Sequence, residues 1–120
     1  MEASTIISLS KEIKSRNFWD KQHWSKRSRE SKDWEKQIWA ALNGAVKKHR
    51  AKGRTHIKIT SLRKRLLDHA NLSGGFKGGM DALKRLGLIV DDSPKWIDEI
   101  YEQKVQASGT GTIIEIEEEV

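Results

Sequence analysis

The sequence predicts an α+β protein, mixed α/β in its element order, with helices packed on a small mixed sheet. Three observations predict it. Short β-branched runs recur near both ends and in the middle: "STIISL", "HIKIT" and "TIIEIEEEV". Between them apolar residues step by three and four, as a helix facing a core requires. Glycines punctuate the changes of period. At 120 residues, positions 1–120 make one domain with a modest core.

The first run, Ser4–Leu9, reads as a strand. The segment "KEIKSRNFWDKQHWSKRSRES" follows as a basic, aromatic-studded loop with room for a helical turn. From about Ser31 to Arg50 the period is helical. Trp34, Ile38, Ala41, Leu42, Ala45 and Val46 share one face, and Lys47, Lys48, His49 and Arg50 suit the negative end of the helix dipole. Gly53 is a stop. In "RTHIKITSLRKRLL", Ile57 and Ile59 point one way and His56, Lys58 and Thr60 the other, a strand with one buried face. Gly74, Gly75, Gly78 and Gly79 break the chain. A second helix resumes at Phe76, with Met80, Leu83 and Leu86 inward, and ends at Gly87. A strand over Lys95–Val105, a turn at Ser108–Gly111 and a closing strand then form a hairpin.

Charge is divided unevenly. Residues 1–67 hold 18 Lys/Arg and 6 Asp/Glu; residues 68–120 hold 5 and 11. A net of +12 against −6 points to a polyanion-binding half, and nucleic acid is the commonest polyanion for a basic protein. The DNA contacts expected are Lys14, Arg16, Lys21, Lys26, Arg27, Arg29, Arg63, Lys64 and Arg65. Trp34 is in phase with the helical core; Trp19 and Trp24 fit base stacking or a subunit contact as well as packing. The four histidines lack metal-site spacing. With no cysteine, disulfides and thiolate zinc are excluded, which fits the cytoplasm. No secretory signal or membrane span is expected.

The acidic residues of "LLDHANLSGGFKGGMDALKRLGLIVDD" are the candidates for chemistry. Phosphodiester hydrolysis uses hard divalent cations, which take carboxylate oxygens and substrate phosphate. Asp68 and the pair Asp91–Asp92 border elements, with Lys77 between them to neutralise developing charge. They hold a metal only if folding brings the two acidic groups into one pocket; otherwise Asp91–Asp92–Ser93–Pro94 is a polar turn.

The ordered run Asp68, Asn71, Leu72, Lys77, Asp81–Ala82–Leu83, Gly87 and Asp91–Asp92 resembles the RusA family of Holliday junction resolvases, chiefly its phage and prophage members. The likeness covers about residues 54–118, including the closing "GTIIEIEE". It implies a homodimeric, Mg²⁺-dependent endonuclease (Mn²⁺ also serving) that nicks branched DNA symmetrically. Asp68, Asp91 and Asp92 would be metal ligands, one of the last pair standing behind the other. Lys77 would be catalytic or phosphate-binding, and Asp81 structural. Two departures are visible. Gly74–Gly75 lengthens the Asn71–Lys77 spacing, and Ala70 stands where the family has a second aspartate. Alanine offers no oxygen, so catalysis is expected to be impaired, whether the residue is engineered or belongs to a degenerate member. The other expectation is a non-catalytic junction- or single-strand-DNA-binding protein on the same scaffold.

Overall fold

A computed structural model describes residues 3–43 and 50–119. It contains strand β1 (Ala3–Leu9), helices α1 (Arg16–Asp20) and α2 (Trp24–Ala41), strand β2 (Thr55–Arg63), helices α3 (His69–Gly75) and α4 (Lys77–Arg85), and strands β3 (Ile97–Val105) and β4 (Gly111–Glu118). The mixed α+β class is as expected.

The four strands form one sheet in the order β1-β4-β2-β3. β4 runs antiparallel to both β1 and β2, whereas β2 and β3 are parallel. The expected hairpin of the last two strands is therefore absent: β2 lies between them. Burial explains the placement. Ile114 and Ile116 of β4 are buried and suit a central strand. β3 keeps Asp98, Glu99, Glu102 and Lys104 exposed, and such charges suit an edge. Residues 106–110 cross the end of β2, a span of about 10 Å for two inter-strand spacings.

One face of the sheet carries Ile7, Ile57, Ile59, Ile114 and Ile116 into the core. Trp34 and Ile38 from α2, Leu72 and Phe76 from the α3 region, and Met80 and Leu83 from α4 cover it. Trp34 meets Phe76 edge-on, ring centres 5.1 Å apart. The expected inward positions Trp34, Ile38, Ile57, Ile59, Met80 and Leu83 are all buried, Leu42 and Leu86 are half-buried, and Ala41 is exposed. Ala45, Val46 and the basic residues 47–49 lie outside the described residues.

Two local expectations differ. α2 begins at Trp24 rather than Ser31, because His23 caps it: Nδ1 accepts the Ser25 N–H at 3.2 Å. The glycine stretch is helical rather than broken. Gly75 belongs to α3, and a Cβ there would overlap the Lys14 carbonyl oxygen. Close backbone approach, not flexibility, is what that glycine provides. Gly87 ends the α4 region with φ +77°, as a helix stop should. No helix among the described residues is long and apolar enough to cross a membrane.

Candidate nucleic-acid interface

The basic segment after β1 folds into α1 and the N-terminal half of α2. Ser15 caps α1, its Oγ accepting the Phe18 N–H at 3.1 Å. α1 then docks on α3, where the Asn17 N–H donates to Asn71 Oδ1 at 3.1 Å. The result is a short ridge with a hollow on each side.

The larger hollow, about 630 Å³, lies between α1–α2 and α3–α4. Arg16, Arg27, Lys32, Lys77 and Arg85 line it, against Asp20, Glu30 and Asp81. Arg16 lies 3.6 Å from Asp20, and Arg85 is held by Glu35 at 2.5 Å. Glu30 is taken by Lys11 at 2.7 Å. Arg27, Lys32 and Lys77 have no ion-pair partner among the described residues, so they are available to an anion. Trp19 also lines this cleft, and its buried indole N–H has no hydrogen-bond partner among the described residues. The smaller hollow, about 370 Å³, is lined by Lys14, Phe18, Trp19, Lys26 and Arg29 among others.

Of the expected DNA contacts, Lys14, Arg16, Lys26, Arg27 and Arg29 thus line the two hollows. Lys21, Lys64 and Arg65 are exposed. Arg63 must be corrected: it is 6 % exposed, and its guanidinium donates to the Ile13 carbonyl at 2.7 Å and to Ser61 Oγ at 3.1 Å. It ties β2 to the segment leading into α1 and is not a surface cation. Lys32 and Arg85 are not among the expected contacts. With α2 starting at Trp24, Ser28 and Lys32 fall on one face four residues apart, beside Arg27, and that phase is the signal for Lys32.

The acidic motif divides in two. Asp68 caps α3, Oδ1 accepting the Asn71 N–H and Oδ2 the Asn71 amide, both at 2.8 Å. These bonds hold its carboxyl below the usual carboxylate range. Leu67, next to it, is bonded through its backbone N–H and C=O to the Gln103 side chain. Asp68 therefore sits at the C-terminal end of the parallel β2–β3 pair. Lys77 opens onto the larger hollow one helix further on. Asp91 and Asp92 lie beyond α4, before the first residue of β3. Lys84 Nζ meets Asp91 Oδ1 at 2.9 Å, and this bond, with one from Ser93, holds the Asp91 carboxyl low. From Ile97 to Gln103, β3 runs about 20 Å. The expectation that one chain gathers Asp68 with Asp91–Asp92 in a single pocket is thus corrected: the parallel crossover carries them to opposite ends. Among the described residues no three His, Cys, Asp or Glu side chains stand close enough to hold a metal ion. Ala70 is exposed in the first turn of α3, beside the Asp68 cap.

No protein-family model matches the chain, and no curated protein matches it significantly.

Proposed function

We propose that this chain is a RusA-like, Holliday-junction-directed DNA endonuclease of the cytoplasm, working as a homodimer that nicks two strands symmetrically. One observation carries the reading. Lys77, the lysine of the ordered acidic motif, opens onto the same cleft as the unpaired cations Arg27 and Lys32. A DNA backbone lying in that cleft would meet three free cations, and each phosphate they neutralise releases counterions. Trp19 adds a flat aromatic wall suited to stacking against an unstacked base.

The acids of one chain do not fit Mg²⁺ or Mn²⁺. Asp68 and Asp91–Asp92 are separated, both oxygens of Asp68 are engaged by Asn71, and Ala70 supplies no oxygen. In this reading a cation pocket takes acids from two chains, which is a function for the dimer.

That misfit favours a second reading: binding of junctions or single strands without cutting. A four-way synthetic junction separates the two. Ala70→Asp adds a carboxylate in the first turn of α3, where the helix dipole stabilises it by about 0.3–1 kcal/mol, so the variant should fold at least as well. Paired symmetric nicks with Mg²⁺ or Mn²⁺, stronger in Ala70→Asp than in the native chain, support the nuclease. Tight junction binding with no cut in either protein and either metal selects the binding protein. Equal affinity for junction, single strand and linear duplex sinks both.

A further inference from the structure

β3 is the last strand in the sheet order, so among the described residues one of its edges has no strand neighbour. Two hydrogen bonds fix which backbone groups face that edge. The Thr55 N–H donates to the Trp96 carbonyl at 2.8 Å, and the Gln106 N–H to the Arg63 carbonyl at 3.0 Å. Backbone direction alternates along a strand, so the even-numbered residues between them bond to β2. The N–H and C=O groups of Ile97, Glu99, Tyr101, Gln103 and Val105 then point outward. This edge has no proline and no bulge. Ile100 is 59 % exposed and Val105 58 % exposed. Long flat edges of this kind invite another strand.

We infer that β3 pairs antiparallel with β3 of a second copy of this chain about a two-fold axis beside Tyr101, joining the two sheets into one. The partner is chosen by charge. With Tyr101 opposite Tyr101, Asp98 of each chain faces Lys104 of the other, and Ile97 faces Val105. All five outward residues meet outward residues; the Ile97 carbonyl already accepts from Arg54 Nη2 at 3.4 Å, and the other outward backbone groups find a mate across the axis. Sliding the register by two residues one way sets Glu102 against Glu102; the other way sets Asp98 against Glu102 twice. Like charges directly opposite are destabilising, so the register is specified by the strand itself. The opposite edge strand, β1, carries no charged residue and so no such code.

The inference deepens the homodimer of the reading above and rests on that reading for its purpose, though not for its geometry. Antiparallel pairing turns the Asp68 end of each chain toward the Asp91–Asp92 end of its partner.

Sedimentation velocity of the full chain over a concentration series tests it, with far-UV circular dichroism on each variant. Wild type should be a dimer. Glu99→Pro removes an outward N–H, which edge strands tolerate, together with the carboxylate that accepts from the Tyr101 hydroxyl at 2.8 Å, and should be a folded monomer. Lys104→Glu sets two carboxylate pairs face to face and should raise the dimer Kd at least about tenfold. Ile6→Lys, on β1, should leave the dimer intact. A monomeric wild type, a dimer indifferent to Lys104→Glu, or a dimer lost in Ile6→Lys overturns the inference. Should Glu99→Pro unfold, Lys104→Glu alone decides. A dimer that never cuts DNA leaves the interface standing and removes the nuclease; a cutting monomer does the reverse.

Discussion

Asn71 joins the acidic motif to the basic ridge: its Oδ1 accepts the Asn17 N–H at 3.1 Å while its Nδ2 donates to Asp68 Oδ2 at 2.8 Å. One amide thus orients α1 and anchors the carboxylate that caps α3.

Replacing Asn71 by alanine should loosen both. Removing the bond to α1 is expected to cost about 0.5–1 kcal/mol, a Tm decrease of a few degrees. The Asp68 carboxyl should titrate part of the way back toward its ordinary value: the Asn71 backbone N–H, the larger cause of the lowering, stays, and only the side-chain amide bond is lost. The sign follows by linkage. A carboxyl held low in the folded state contributes stability above its unfolded pKa, and that contribution disappears as pH falls through the folded pKa. Asn71→Ala should therefore flatten the acid limb of the stability curve. NMR titration of Asp68 and urea unfolding at several acidic pH values check this; an unchanged Asp68 midpoint would contradict it.

Gly75→Ala should be strongly destabilising although alanine is the better helix former. Its Cβ would collide with the Lys14 carbonyl, so α1 and α3 must separate. The expected cost is about 1–3 kcal/mol, the range for overpacking. Gly109→Ala is the useful contrast. That glycine has φ +78° but no crowding closer than 3.7 Å, so it should show a strain penalty of about 1 kcal/mol and no effect on DNA binding. Thermal melts and junction titrations of the pair separate packing from backbone strain.

Neutralising Arg27, Lys32 and Lys77 together to glutamine should weaken DNA binding and reduce the salt-dependence slope by about 2–3, close to one for each phosphate left without its cation. Neutralising Lys84 should leave that slope unchanged, because Lys84 is bonded to Asp91 at 2.9 Å, away from the cleft. Fluorescence anisotropy of a labelled junction over a salt series measures both. Equal slopes in the triple variant and wild type would remove the cleft from the binding surface.

Much of the fold could be read directly. Helical phase placed Trp34 and Ile38 in the core, and alternation placed Ile57 and Ile59. These are local signals, decided within a few residues of chain. The start of α2 escaped because the capping residue is His23 rather than one of the small polar residues that usually mark a helix start. The glycines of α3 read as breakers because their reason lies far away in sequence, at Lys14. Strand order is non-local in the same sense: residues 106–110 suit a hairpin and a crossing over β2 equally well. The separation of Asp68 from Asp91–Asp92 was hidden likewise, since the same spacing serves a crossover that returns beside its start and one that does not. Arg63 sat in a run of three cations, and only the strand's inward phase distinguishes it from Lys64 and Arg65.

The position of β4 has a consequence for how the molecule is made. β1, near the beginning of the chain, reaches the rest of the sheet only through a strand whose residues come more than a hundred positions later. While the polypeptide is being synthesised, Ile7 and Ile59 have no neighbour to join them, and the central slot stays vacant until Gly111–Glu118 has left the ribosome. Folding is therefore a late, all-or-none closure with costly long loops to be fixed first. Fragments ending short of Gly111 should be collapsed and prone to aggregate, however intact their basic ridge.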